Sequence, residues 1–351
     1  MGDHEIEQLV ARGEPVSERD FSHIDAPGAD LSGGIFDNVS LEGAVLTGAN
    51  LREATFHQVC FDGADLSGAD LKQTTLIKCS FKRANLARAS MIVTKLVDCD
   101  CEGASLVGAD LLALQGVRPR LVGADLTQAS FDRPILLQPQ LDGAKIEGCT
   151  VKYAGFVEAD VGSASFAGST FYAAVFVGAK MPGRSFAGFD LTLCQFMDAD
   201  LDGCDFSRAK IEQANFKGAA LAGARFDGAD ATRAMFVSAN LTNASFVGAR
   251  LREAMFVDAV AIGARFDDTD LEASIWHRAR CIGAAFSGAR MPFADLSYAD
   301  LGAADFSTTR SMMRTRLHGI QGADVIWGPA RAAAWNDDAP LRRAELWKPS
   351  V

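Results

Sequence analysis

The sequence predicts a repeat solenoid, and three observations predict it. From Phe21 to Phe306 every fifth residue falls on one lattice, and nearly all of these positions are large and apolar; Leu41, Leu46, Leu51, Phe56, Phe61, Leu66 and Leu71 begin its unbroken part. All the phenylalanines except Phe189 and Phe293 lie on it. Two residues before each lattice point stands a small residue, usually alanine, as at Ala44, Ala49, Ala54, Ala64 and Ala69. Such a period matches neither a helix, at about 3.6 residues per turn, nor the simple alternation of a flat strand. The chain therefore folds as a repeat array, and its function is to be sought on a surface rather than in a pocket.

Composition narrows the choice. The 351 residues could hold two or three ordinary domains, but an uninterrupted repeat overrides that expectation. The net charge of −11 and the pI near 5.0 argue against direct nucleic-acid binding, which needs a basic face. No apolar run reaches membrane-spanning length, and the opening Met1-Gly-Asp-His-Glu lacks the apolar core of a signal peptide. Ile6 stands where a myristoylation signal requires Ser or Thr. Of the cysteines, Cys79, Cys99, Cys149, Cys194 and Cys204 take the small lattice position, Cys101 and Cys281 the large one, and Cys60 neither. They replace Ala or Leu in a core, where a free thiol behaves as a small hydrophobe, and this predicts a reducing compartment, the cytoplasm.

The units read A-D-L-S-G, A-N-L-R-E and A-S-F-V-G, which resembles the pentapeptide-repeat family pattern A-(D/N)-(L/F)-(S/T/R)-G over roughly residues 20 to 309. The resemblance implies an all-β fold, a right-handed quadrilateral β-helix with one pentapeptide per side and four per coil. Ala and Leu/Phe would point inward, and glycines such as Gly43, Gly48, Gly63 and Gly68 would ease the corners. Residues 1–20 are expected to form an N-terminal helical cap, 21–309 a β-helix of about fourteen coils, roughly 70 Å long at ~4.8 Å per coil, and 310–351 a C-terminal cap or tail.

The elements follow in order. Residues 3–12, with Ile6, Leu9 and Val10 on one helical face, suit a short helix over the first coil. Sorting the lattice by twenty assigns residues to sides. In the C-terminal half one side carries Phe166, Phe186, Phe206, Phe226, Phe246, Phe266, Phe286 and Phe306, and the opposite side Phe156, Phe176, Phe196, Phe216, Phe236, Phe256 and Trp276. Leu191, Leu201, Ile211, Leu221, Leu241 and Leu251 lie between them, and leucine dominates residues 41 to 126. The ladders read as stacked core, not as a cofactor site. The motif is weakest at 111–140, where Gly116 takes a large position and Leu114, Pro119, Pro134 and Pro139 small ones; a local bulge or bend is expected there. After Phe306 the motif fails at Ser311, Met312, Met313 and Arg314, and Gln321-Gly-Ala-Asp-Val-Ile resumes it in another register. Trp335, Leu341, Leu346 and Trp347 are expected to cover the open end, with a dimer-forming tail as the alternative.

No catalytic constellation is present in the sequence. His4, His23, His57, His277 and His318 are scattered, no Cys or His pair has metal-ligand spacing, and Gly- and Asp-rich strings arise from the repeat itself. A non-enzymatic protein without cofactor or metal is expected. The outward positions are more informative. On one side the residue after the lattice point runs Ile77, Val97, Val117, Leu137, Val157, Val177, Met197, Lys217, Val237, Val257, joined by Ile135, Val175, Met235, Met255 and Ile275 from the position before it. Aligned apolar residues of this extent predict a protein or dimer interface; β-branched preference on the flattest side is the other explanation. At the next corner lie Asp98, Asp100 and Glu102, then Glu158 and Asp160, then Asp198, Asp200 and Asp202, interrupted by Arg118, Arg120, Arg278 and Arg280. They read either as a solvated face or as a rim steering a basic partner such as a nuclease.

Three functions compete. The chain is similar to quinolone-resistance pentapeptide proteins, acidic rods that occupy the DNA site of gyrase, which implies a DNA mimic. Those proteins are shorter, dimerise through their C-terminal end and often project loops, whereas here the register holds until 309. The segment Gly13-Glu-Pro-Val-Ser-Glu-Arg-Asp-Phe-Ser resembles pentapeptide modules of bacterial type VI secretion gene clusters, which implies an immunity protein for a secreted toxin or an effector escort. A structural scaffold is the third reading and predicts that the chain's own terminus or a second copy buries the stripe. The preferred expectation is a toxin or effector as partner, with gyrase next, and neither nucleic acid nor membrane.

Overall fold

Residues two apart on the lattice both turn inward, so the chain must bend after every fifth residue, and each bend leaves backbone groups that only a neighbouring coil can satisfy. The computed structural model describes residues 5–336 and 338–347; Asp3 and His4 of the expected helix and the side chain of Leu346 lie outside the described residues. The chain forms two compact units, Met1–Lys180 and Met181–Val351. Each is a parallel β-solenoid in which a residue pairs with its counterpart twenty positions on, as Asp65 with Asn85 and Asp230 with Arg250.

In the first unit α1 (Glu5–Ala11) buries Ile6 completely and leaves Leu9 and Val10 half-buried. The Glu7 carboxylate accepts the Asp30 N–H at 3.0 Å. In the next coil the equivalent Asn50 N–H donates to Ala29 of the preceding coil. The helix thus supplies the acceptor that the first coil lacks. The strands are β1 (Val16–Ser17), β2 (Ile35–Asp37), β3 (Thr55–His57), β4 (Thr75–Ile77), β5 (Lys95–Val97), β6 (Gln115–Val117), β7 (Ser130–Asp132), β8 (Ile135–Leu137), β9 (Thr150–Lys152), β10 (Gly155–Val157) and β11 (Thr170–Tyr172). One side is an eight-stranded sheet, β1-β2-β3-β4-β5-β6-β8-β10, and a second side carries the short sheet β11-β9-β7.

The corners sit in the left-handed region, at glycines such as Gly48 (φ 65°) but also at Asp98 (φ 53°) and Arg118 (φ 50°). A side chain there costs roughly 1–2 kcal/mol. The corner N–H offsets that cost by bonding to the next coil: Asp98 to the Val117 carbonyl at 2.9 Å, and Arg118 to that of Leu137 at 2.8 Å. The Asp or Asn of each unit has its own task. Asp65 accepts the N–H of Ser67 at 2.9 Å and Asp205 that of Ser207 at 2.9 Å, so the side chain closes the turn that follows it.

The bulge expected at 111–140 does not occur in the main sheet. Val97, Val117, Leu137 and Val157 pair in unbroken register. The prolines occupy inward positions whose carbonyls still serve the ladder, Pro119 accepting from Gln140 at 3.1 Å and Pro139 from Asp160 at 3.0 Å. Leu136 fills the space above Gly116. What changes is the adjoining side, where the chain straightens into β7, β9 and β11.

In the second unit both aromatic ladders are present. Phe186, Phe206, Phe226, Phe246, Phe266, Phe286 and Phe306 stack at 4.5–5.2 Å. Phe196, Phe216, Phe236 and Phe256 stack at 5.0–5.1 Å and end on Trp276, whose indole N–H donates to Ser274 at 2.8 Å. The two ladders meet edge to face, Phe216 to Phe226 at 5.8 Å.

The failure of the motif after Phe306 is a shift by one residue and not the end of the coil. Arg290 pairs with Ser311, Asp295 with Arg316 and Asp300 with Gln321, while Met312 and Leu317 fill the large inward positions. Then β12 (Asp305–Phe306) pairs with β13 (Ile326–Trp327). Trp327 extends the ladder from Phe306 at 5.0 Å, and the Arg331 guanidinium lies 5.0 Å over the Trp327 ring. The final helix, α2 (Ala339–Leu346), is capped by Asp338, which accepts the Leu341 N–H at 3.0 Å. It is tied to the coils by Tyr298, whose hydroxyl donates to Glu345, and by His318, whose Nε2 is 3.2 Å from Glu345.

Candidate protein-binding surface

Alternation along a short strand turns one residue in and its neighbours out, so the sheet that buries Leu76, Leu96, Leu136 and Phe156 presents Ile77, Val97, Val117, Leu137 and Val157 on its outer side. These five form one in-register column, Ile77↔Val97↔Val117↔Leu137↔Val157. Val157 and Val177 are linked through the Glu158 N–H, which donates to the Val177 carbonyl at 2.7 Å. The column is half-buried for the most part, but Ile135 and Leu137 stand out at 56% and 36% exposure. It coincides with the flattest side of the unit, so the β preference of Val and Ile accounts for part of it.

In the second unit the same series gives Met197, Val237 and Val257, with Met235, Met255 and Ile275 bridged in succession beside them. All six are half-buried, and exposed Lys217 divides Met197 from the rest. Here the chain has no continuous strand, so strand propensity explains the column less well than in the first unit.

The acidic residues separate into two kinds. Asp98 forms a bidentate pair with Arg118 at 2.7 and 2.9 Å. Asp100 is held by Arg120 at 3.1 Å and Lys82 at 3.4 Å, and Arg120 also binds Glu102. The Arg118 guanidinium keeps the Asp98 carboxyl below its ordinary range. These charges are already neutralised within the fold, and exposed pairs of this kind contribute little to stability. Asp198, Asp200 and Asp202 form no ion pair among the described residues; Asp200 accepts the Asp202 N–H, and Asp202 the Ala222 N–H at 2.7 Å. Asp160 likewise has no ion pair among the described residues, while Glu158 accepts from Gln138 at 2.8 Å.

Two features escaped the reading by lattice. In the first unit Tyr153 (54% exposed) stands at the corner before β10 and Tyr172 (42% exposed) ends β11 on the adjoining side, and the two rings meet edge to face at 5.5 Å. Their rarity and outward register were legible signals. The second is a cleft of roughly 340 Å³ lined by His277, Asp295, Tyr298, Arg316, His318 and Trp335, to which α2 contributes Leu341. His277 lies 3.0 Å from Asp295 there. No group of three or more His, Cys, Asp or Glu among the described residues is arranged to hold a metal.

The fold and its inward Ala and Leu/Phe rows define a β-solenoid built from five-residue sides. The pentapeptide-repeat family model matches in eight copies over residues 27–63, 64–100, 94–133, 183–213, 210–246, 234–272 and 277–310, and the chain belongs to that family. Among solved structures it is similar to HetL, a pentapeptide repeat protein involved in heterocyst differentiation regulation in the cyanobacterium Nostoc (25% identity, 77% of this chain and 96% of that one, TM-score 0.26). It is also similar to a trypsin-treated point variant of QnrB1, a plasmid-mediated fluoroquinolone resistance protein (20% identity, 66% and 99%, TM-score 0.34), and to a pentapeptide repeat protein of the cyanobacterium Cyanothece (29% identity, 28% and 63%, TM-score 0.25). No curated protein matches the sequence.

Proposed function

We propose that the protein is a non-enzymatic, cytoplasmic binding solenoid that neutralises or escorts a basic protein, a secreted toxin or effector such as a nuclease. The observation that carries this reading is in the second unit, where the half-buried column Met235, Met255 and Ile275 continues the side that carries Met197, and the coil of Met197 carries Asp198, Asp200 and Asp202 with no ion pair among the described residues. Methionines adapt their shape to a partner, and unpaired carboxylates at a rim raise the rate at which a basic partner arrives. In the first unit Asp98, Asp100 and Glu102 are already bound to Arg118, Arg120 and Lys82 and serve that purpose less well.

The test is binding of the purified protein to the effector encoded beside its gene. Met235→Lys with Met255→Lys is expected to weaken binding by about 100-fold, since two charges would be desolvated in the interface. Asp198→Asn, Asp200→Asn and Asp202→Asn together are expected to lower the association rate by about ten-fold and flatten its salt dependence. Undiminished binding by the Met double variant excludes this surface. The net charge of −11 also favours the gyrase-protecting reading. A supercoiling assay in which the protein protects or inhibits gyrase, while binding no effector, replaces the first reading with that one.

A further inference from the structure

The stripe side of the second unit does not stop at Ile275. Its outward column runs on in register, Met235↔Met255↔Ile275↔Asp295↔Arg316↔Trp335, so the rungs after Ile275 turn polar. Beside them stand Ser297 and His318, which follow the inward Leu296 and Leu317 as Val237 and Val257 follow Phe236 and Phe256. Tyr298 turns the next corner, with φ 63°. These are the residues to which α2 is fastened. Nδ1 of His318 accepts the Asp338 N–H at 3.2 Å, so the ring proton sits on Nε2 and is donated to Glu345, 3.2 Å away. The other carboxylate oxygen of Glu345 accepts the Tyr298 hydroxyl. The cleft of roughly 340 Å³ is the gap between helix and side, with His277, Asp295 and Arg316 on one wall and Asp338 and Leu341 on the other. The helix therefore lies over the end of the side that carries Met235, Met255 and Ile275.

Its hold differs in kind from that of the coils. Phe236, Phe256 and Leu296 are buried completely. In α2 the described side chains of Pro340, Leu341, Arg343, Ala344 and Glu345 are all exposed, and Trp347 at its end is 72% exposed. A helix of eight residues does not persist on its own hydrogen bonds. Hydrogen bonds that water can replace hold it far less firmly than buried rings hold the coils. Opening also strands no charge on the coils, because Asp295 keeps His277 at 3.0 Å and Arg316 at 3.6 Å. A segment held in this way opens locally while the rest of the fold stays closed.

We propose that α2 is a displaceable strap: it closes the end of the stripe side in the free protein and swings away without unfolding a coil. Its release adds the coils of Ser297 and His318, about 10 Å at ~4.8 Å per coil, to the column of Met235, Met255 and Ile275. The lengthened side then has an apolar centre and a hydrogen-bonding margin at Tyr298 and His318, as protein interfaces do. That a bound protein displaces the strap rests on the proposed function; the opening itself does not.

Hydrogen–deuterium exchange of the full chain, read by mass spectrometry, tests the opening without any partner. Peptides within residues 339–347 are expected to exchange more slowly than an unstructured peptide, but at least about 100-fold faster than peptides within 226–260. Glu345→Ala removes both carboxylate anchors and is expected to speed exchange in α2 by about ten-fold, and Tyr298→Phe by a smaller factor, with 226–260 unchanged. Modification by diethyl pyrocarbonate reads the uncovering of the side. Buried His318 is expected to react at least about ten-fold faster in Glu345→Ala, with half-exposed His57 as the internal reference. Protection of α2 equal to that of the coils, no protection of α2 in the unaltered chain, or a His318 no more reactive in Glu345→Ala would each overturn the proposal. None of these outcomes bears on whether an effector binds at Met235 and Met255, so the two readings fail separately.

Discussion

Replacing Phe206 with alanine removes one rung from a ladder whose other rungs cannot close up. The Phe206 ring is fully buried, stacked between Phe186 at 5.2 Å and Phe226 at 4.9 Å and met edge-on by Phe216 at 5.6 Å. Loss of a buried Phe side chain costs about 3–5 kcal/mol. The upper half of that range is expected, because backbone hydrogen bonds between coils, such as Phe206 to Arg225 at 2.6 Å, fix the rung spacing and prevent collapse into the cavity. The aromatic pairs broken add about 0.5–1.5 kcal/mol each beyond simple burial. For a unit of this size roughly 2–4 °C of melting temperature correspond to 1 kcal/mol, so Tm is expected to fall by about 8–20 °C. Phe293→Ala is the control: Phe293 lies off the lattice and is 45% exposed, and its loss is expected to cost within about 0.5 kcal/mol. Differential scanning calorimetry of both variants decides the matter. A fall in Tm for Phe206→Ala no greater than for Phe293→Ala refutes the assignment of the ladder as the source of stability.

Acid should loosen the coils from about pH 4 downward. Two of the turn-closing carboxylates, Asp125, held by Thr127, and Asp305, held by the Ser307 hydroxyl and N–H, titrate below their ordinary value of 3.8. Asp295 does so despite burial, through bonds from His277 and Ser297. A depressed folded-state pKa means that stability is present above the unfolded value and lost as pH falls through the folded one. Urea midpoints unchanged between pH 6 and pH 3 would contradict this. The thiols should resist modification in the native protein: burial pushes Cys204 and Cys281 up to about 12, and Cys60 is the one cysteine not fully buried. Native labelling with a thiol reagent is expected to begin at Cys60, and Cys281 labelling as fast as Cys60 would show that the coil opens. Arg118→Ala should change stability by under about 1 kcal/mol, as its pair with Asp98 is exposed; a larger loss in a denaturant titration would give the ion-paired acids a structural role.

Much of the fold was legible because the inward positions are chosen by size alone. A period of five with Ala two residues before Leu or Phe places both on the inside, and sorting by twenty correctly separated the ladder of Phe206 from that of Phe216. The role of the corners was less legible. Arg118 and Asp98 hold the same left-handed conformation as the glycines, because their N–H groups bond to the next coil, and no local preference announces it. The prolines at 119, 134 and 139 suggested a break for the opposite reason: proline is costly where its missing N–H would be used, and here the ladder uses only its carbonyl. The candidate surface was half legible. The Val, Leu and Met columns follow from register, but sequence cannot distinguish Asp98, bound by Arg118 from the next coil, from Asp198, which has no ion pair among the described residues.

The sequence by itself determined the solenoid, the side on which the lattice residues up to Phe306 lie and the two aromatic ladders, since each depends only on spacing and side-chain volume. The tertiary structure alone decided which acids remain uncompensated, where two extended sides meet beneath Tyr153, and how the one-residue shift after Phe306 carries the coil on to Trp327. Those outcomes depend on which side chains from separate coils come within reach of each other, and a five-residue period places residues in columns without fixing the bonds between them.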